Sequence, residues 1–137
     1  MSGKSHAWVE SSLGIIIVGA ILLIRDLEFT AYFSIGYFLG VFFLSPDVDL
    51  DGTESEKNWS ILGFIWIPYA ALSGHRGISH SWIFGTATRF LYLGLLAFPF
   101  VYCFGIQIGW NHVWMLFLGC WTANAIHLIF DGCLRIF

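Results

Sequence analysis

Phe29–Leu44 reads FTAYFSIGYFLGVFFL and runs directly into Ser45-Pro46-Asp47-Val48-Asp49-Leu50-Asp51. An uncharged apolar and aromatic run of this kind predicts a buried or lipid-facing helix, and Pro46 predicts where it stops. Gly36 and Gly40 stand four apart in it, a spacing that lets a second helix approach closely in a membrane. Three carboxylates follow at once, on Asp47, Asp49 and Asp51. The rest of the chain repeats this contrast. Of its 137 residues, 58% are hydrophobic, 19% aromatic and only 11% charged, and the mean hydropathy is +0.77. Soluble domains carry about 25% charged residues, so this chain lacks the charge to cover a soluble surface. The expectation is an all-α integral membrane bundle. The small net charge of -3 argues against a nucleic-acid partner.

Working outward, four transmembrane helices are expected at about 5–24, 29–45, 79–104 and 112–135, in one membrane domain covering 1–137. The first is uninterrupted only from Leu13 to Ile24, short of the roughly 20 residues a bilayer needs. Extending it back through Ala7, Trp8 and Val9 supplies the length and puts His6 and Glu10 on one face. No cleavable signal peptide is expected there. Residues 46–60 read as a polar loop. Ile61 to Leu72, broken by Pro68, is too short to span and reads as an interfacial or re-entrant segment. Ser79 is placed as the N-cap of the third helix, with Arg89 about three turns in and a kink at Pro99. Cys103, Cys120 and Cys133 form no CxxC pair and read as small buried hydrophobes.

Four alternating helices deliver the polar motifs to one side. His6 and Glu10 open the first helix, Asp47 and Asp49 follow the second, His75 and His80 precede the third, and His127 with Asp131 close the fourth. That side also carries Lys4, Lys57, Arg76 and Arg135, whereas the other carries Arg25. The positive-inside tendency therefore predicts a bacterial inner or plasma membrane protein with both termini and the site in the cytoplasm. His112 falls on the opposite side and reads as an interface residue.

Each motif has chemistry suited to a metal. His127 and Asp131, spaced i, i+4, put an imidazole and a carboxylate on one helix face. An ionisable residue at membrane depth is a functional candidate. Asp47 and Asp49 can chelate one ion or bridge two, and Asp51 extends the pattern. An EF-hand does not fit, because no ligand loop and helix of the right spacing follow Asp51-Gly52. His75 and His80 suit a loop entering a helix. Arg76 between them forks onto phosphate, and Ser79 with the free N–H groups of the third helix can receive an anion. Arg89 either reaches the site from within the bundle or pairs structurally. These ligands exceed the need of one tetrahedral ion and favour a two-metal site suited to phosphoesters. Mixed N and O donors fit Zn first, and also Mn, Fe or Ni. Glu10 is a general-base candidate or an outer partner of His6.

Gly3-Lys4-x-His6, Ser45-Pro46-Asp47-Val48-Asp49, His75-Arg76-Gly77-Ile78-Ser79-His80-Ser81 and His127-x-x-x-Asp131 occur in this order. The set resembles a small membrane "metal-binding protein" family often seen in cyanobacteria. More loosely it resembles the bacterial inner-membrane metal-dependent hydrolases. The resemblance implies a multi-helix membrane protein with a His/Asp metal site. Its ligands here would be His6, Asp47, Asp49, His75, His80, His127 and Asp131.

The function expected is hydrolysis of a phosphoester, with a lipid phosphate as one substrate class. A divalent ion would polarise the ester and supply hydroxide at neutral pH, Arg76 and Ser79 would hold the phosphate, and Glu10 would act as base. The bilayer and a phosphate-bearing substrate are the expected partners. The alternatives are a non-catalytic metal-binding or metal-handling protein with a closed coordination shell, and a structural subunit whose polar cluster makes hydrogen bonds only.

Overall fold

The computed structural model describes residues 3–49, 52–73, 80–107 and 109–132, without the side chains of residues 3–6 and 49. Among these, all regular structure is helical. The helices are α1 (Gly3–Leu22), α2 (Leu27–Phe42), α3 (Glu54–Trp59), α4 (Trp66–Ser73), α5 (Phe84–Cys103) and α6 (Trp110–Phe130). Two 3-10 turns, Pro46–Asp49 and Ser60–Ile65, lie between α2 and α4.

Helix α2 is the centre of the packing. Asp26 caps its start, its Oδ1 accepting from the Phe29 N–H at 2.7 Å, and Glu28 adds a favourable charge to the first turn. Its inner face is small where α6 crosses it. A Cβ at Gly36 would collide with the Leu116 carbonyl, and one at Gly119 with the Phe33 carbonyl. A Cβ at Gly40 would meet the methyl of Ala123 at 2.8 Å. The pairs Gly36/Gly40 and Gly119/Ala123 therefore bring two backbones together without side chains between them, as the glycine spacing in the sequence allows. On the other flank, Gly14 of α1 lies against the ring of Tyr37, whose hydroxyl donates to the Glu10 carbonyl at 2.8 Å. Tyr37 has no exposed surface.

Residues 46–60, expected as a loop, instead form a 3-10 turn and α3. Thr53 caps α3 by accepting from the Glu56 N–H, and Glu54 and Glu56 stand in its first turn. The helix has a structural task. Asn58 Nδ2 donates to the Phe42 carbonyl at 2.8 Å and Trp59 Nε1 to the Phe43 carbonyl at 2.8 Å. They satisfy carbonyls that the end of α2 leaves without helical partners. Residues 61–72, expected as one interfacial segment, divide into the second 3-10 turn and α4. Pro68 falls in the first turn of α4, where its missing N–H costs little. Trp59, Trp66, Tyr69 and Tyr92 pack edge-on or tilted at 5.4 to 5.8 Å between centroids, and this cluster seats α4 against α5.

Two helices, α5 and α6, are long and apolar enough to cross a membrane. The apolar stretches Ala7–Leu22 and Leu27–Phe42 fall short of that length. Two of the four expected spans thus qualify as candidate membrane helices, and a bundle of four spans is not established among the described residues. The reason is local: the Asp26 cap and Pro46 limit α2 to 16 residues, about 24 Å of rise. Helix α5 begins at Phe84, later than the expected start at 79. Polarity is distributed inside out. Glu10, Arg89, Asn124, His80 and His127 are buried, while Ile15, Ile16, Leu91, Leu95 and Phe98 are exposed.

The α2–α6 contact is directly testable. Gly36→Ala and Gly119→Ala are each expected to destabilise the protein by about 1–3 kcal/mol through overpacking. Gly19, where an added methyl would have nothing within 4 Å, is the control: Gly19→Ala should be neutral or stabilising by up to about 1 kcal/mol. Thermal unfolding in detergent followed by circular dichroism reads the difference.

Candidate metal centre

Three chain ends meet beyond the α2–α6 contact. Pro46 stops α2, and the 3-10 turn that follows brings Asp47 back across its end. Thr53 Oγ1 donates to the Asp47 carbonyl at 2.9 Å, and the Val48 N–H donates to the Ser45 carbonyl at 3.1 Å. The last turns of α6 present His127 and, one turn on, Asp131, whose N–H closes the helix on the His127 carbonyl. His80 arrives on the short segment before α5. Trp121 Nε1 donates to the Trp82 carbonyl at 3.1 Å, and the two indoles stack at 6.1 Å, so this segment is fastened to α6. Ser81 Oγ accepts from the Phe84 N–H and supplies the local cap.

The side chains converge. Asp47 Oδ1 lies 3.2 Å from His80 Nε2, and Asp47 Oδ2 lies 3.3 Å from His127 Nε2. His127 Nε2 is also 3.4 Å from Asp131 Oδ2. One ligand atom each from Asp47, His80 and Asp131 lie within 4.8 Å of one another. Around a tetrahedral ion with bonds of about 2.0–2.1 Å, neighbouring donor atoms lie roughly 3.3–3.4 Å apart. The pairwise contacts have about that length, as ordinary ion pairs also do, and the donor atoms of Asp47, His80 and Asp131 lie close enough together to hold a divalent ion. Both imidazoles are buried, and the carboxylates are about 30% exposed, leaving one side of the cluster accessible.

Glu10 of α1 completes the arrangement from behind. Its Oε1 lies 2.8 Å from His127 Nδ1, and it is 2% exposed. Nδ1–H therefore donates to Glu10, which turns Nε2 toward Asp47 and Asp131. A carboxylate behind a histidine ligand fixes its tautomer and orientation. The expectation paired Glu10 with His6 or made it a base; the structure pairs it with His127, a contact that a separation of 117 positions hides from spacing. The neighbouring imidazoles, His127 first and then His80, hold the Asp47 carboxyl well below the usual carboxylate range, against the opposing effect of burial.

Several expected site residues lie outside the described part of the structure. His75, Arg76, Ser79 and Asp51 fall there, and the side chains of His6 and Asp49 are not described. The backbone places His6 one turn before Glu10 on α1, and Asp49 at the end of the 3-10 turn that carries Asp47. Arg89 is buried within the α5–α6 contact. In the amide orientation its neighbours require, Asn124 Oδ1 accepts from Arg89 Nη2 at 3.0 Å and Thr86 Oγ1 at 2.9 Å, and its Nδ2 donates to the Leu44 carbonyl at 3.1 Å. Neither Asn124 nor Thr86 carried a motif that would have revealed this network. His112 pairs with Glu28 at 2.7 Å and stacks on Tyr32 at the other end of α2.

The chain belongs to the family described as "Uncharacterized metal-binding protein (DUF2227)". The family model matches residues 1–110, which include Glu10, Asp47 and His80 and stop short of His127 and Asp131. An Aquifex aeolicus (strain VF5) relative, named "Uncharacterized protein", is 48% identical over 61 residues. That alignment covers 44% of this chain and 43% of the relative. No solved structure matches.

Glu10→Ala should weaken divalent-ion affinity about 10–100-fold, the usual cost of losing an outer partner. Glu10→Gln, which can still accept from His127 Nδ1, should weaken it far less. Competition titration with a chromophoric chelator measures both. For the metal-free protein, the lowered Asp47 carboxyl stabilises the fold above its unfolded pKa of about 4. That contribution is lost as pH falls toward the folded value, so Asp47→Asn should flatten this acid limb in pH-dependent unfolding.

Proposed function

We propose that this protein is a membrane-embedded, metal-dependent hydrolase of phosphoesters. The observation that carries the proposal is the convergence of one ligand atom each from Asp47, His80 and Asp131 within 4.8 Å of one another, with His127 Nε2 3.3 Å from Asp47 and 3.4 Å from Asp131. A divalent ion held there supplies Lewis-acid polarisation of an ester oxygen and acidifies water near neutral pH. Zinc suits the mixed N and O donors first, with manganese, iron and nickel as alternatives. The chain's own groups have separate tasks. Glu10 orients His127, Asp47 remains ionised, and Ser45, Thr53 and Asn58 wall the adjoining cavity. Arg76 and Ser79 keep their proposed role as phosphate contacts on the strength of their place in the sequence.

Membrane embedding is supported by the buried polar groups, the apolar outer surface and the two span-length helices. The basic residues favour a cytoplasmic site in a bacterial inner membrane. A two-ion form of the proposal would draw on both oxygens of Asp47, of which Oδ1 lies toward His80 and Oδ2 toward His127. His6, Asp49 and His75 would complete the second set.

Metal analysis of the purified full chain should find a bound divalent ion. Asp47→Ala and His80→Ala should lose metal and phosphomonoester turnover together, by more than the about 10–100-fold cost of an outer partner. Unchanged metal content in both variants would sink the centre. Full metal binding with no phosphoester turnover would favour a metal-handling role.

A further inference from the structure

The cavity beside the centre has a volume of about 260 Å³ and is walled by Glu10, Ser45, Asp47, Thr53, Asn58 and His127 among others. A second hollow of about 360 Å³ shares Ala7, Phe42, Glu54 and Asn58 with it and adds Trp8 and Ser11. The two hollows therefore adjoin, flanked by α1, the end of α2 and α3. Their chemistry differs. Carboxylates, hydroxyls and an imidazole line the inner part, while the outer part is mostly carbon, from the Ala7 methyl, the Phe42 ring and the Trp8 indole, with Ser11, Asn58 and the Glu54 carboxylate at its polar side.

We propose that the outer hollow receives the alkyl chain of a phosphate-bearing amphiphile whose head group lies at the His/Asp centre. The occupant follows from two neighbouring hollows with contrasting linings. A small hydrophilic ester would leave the apolar part unused, and an apolar molecule would strip water from the buried carboxylates without replacing it. An amphiphile matches both. Trp8 is 76% exposed beside the hollow, and such indoles favour the level where lipid meets water. The substrate therefore enters sideways from the lipid layer. The head group's identity rests on the phosphoester reading above, whereas the chain-binding hollow is argued from its own lining.

The test uses the metal-loaded full chain in detergent and a decyl phosphate carrying a photoreactive diazirine in its chain. Labelling should map to the peptide containing Ala7, Trp8 and Ser11 and to that containing Asn58. Octyl phosphate should suppress it, inorganic phosphate at the same concentration should not, and Ser11→Phe should reduce it by filling the hollow. Label spread evenly over the outer face of α5, around Leu91 and Leu95, overturns the proposal. So does equal labelling by a phosphate-free decanol probe, which marks a non-specific lipid contact. In parallel, kcat/KM for ethyl, butyl and octyl phosphate should rise roughly two- to fourfold per buried methylene. Labelling of the hollow without turnover leaves the hollow standing and ends the hydrolase reading. Turnover independent of chain length, with label elsewhere, does the reverse.

Discussion

The backbone contact between α2 and α6 is the constraint on which the rest depends. Gly36 and Gly40 on one helix meet Gly119 and Ala123 on the other, and no side chain separates them. That contact sets the register of the two helices. The end of α2 then brings Asp47 to the last turns of α6, beside His127. A methyl group at Gly36 or Gly119 would push the helices apart near the middle. A displacement of that kind is comparable to the tolerance of a metal site, whose ligand distances vary by only about 0.2 Å. The packing and the candidate centre are therefore one mechanical unit.

The polar groups of this unit are supported in layers. Tyr37 holds the backbone of Glu10, Glu10 holds the ring of His127, and His127 faces Asp47 and Asp131. Beside it, Asn124 ties Arg89 and Thr86 to the carbonyl of Leu44 just before the acidic turn. Buried polar groups are costly unless each finds a partner. Their number here makes sense only as a network that holds a few donor atoms in place. It lies at one end of the helices, with exposed apolar side chains alongside.

The capping role of α3 links this end to the adjoining cavity. Asn58 and Trp59 occupy the terminal carbonyls of α2, and Asn58 also lines both hollows. The same residues that end a helix thus shape the approach to the centre. A polar stretch that reads as a loop forms a short helix, started by the Thr53 cap and the acidic first turn and held by the carbonyls at the end of α2 that Asn58 and Trp59 reach.

From its sequence alone, this chain could be read as all-helical, apolar on the outside, and carrying its His and Asp motifs at one end. Hydrophobic runs, Pro46 and the alternation of segments suffice for that, because they are local signals. Spacing also paired His127 with Asp131, since helical periodicity relates neighbours four apart. Only the tertiary structure decided that Glu10 serves His127, that Asp47 faces two imidazoles, and that Arg89 pairs with Asn124. Those contacts join segments far apart in the chain, and no periodicity encodes them. It likewise decided where each helix ends, because caps and neighbours set that.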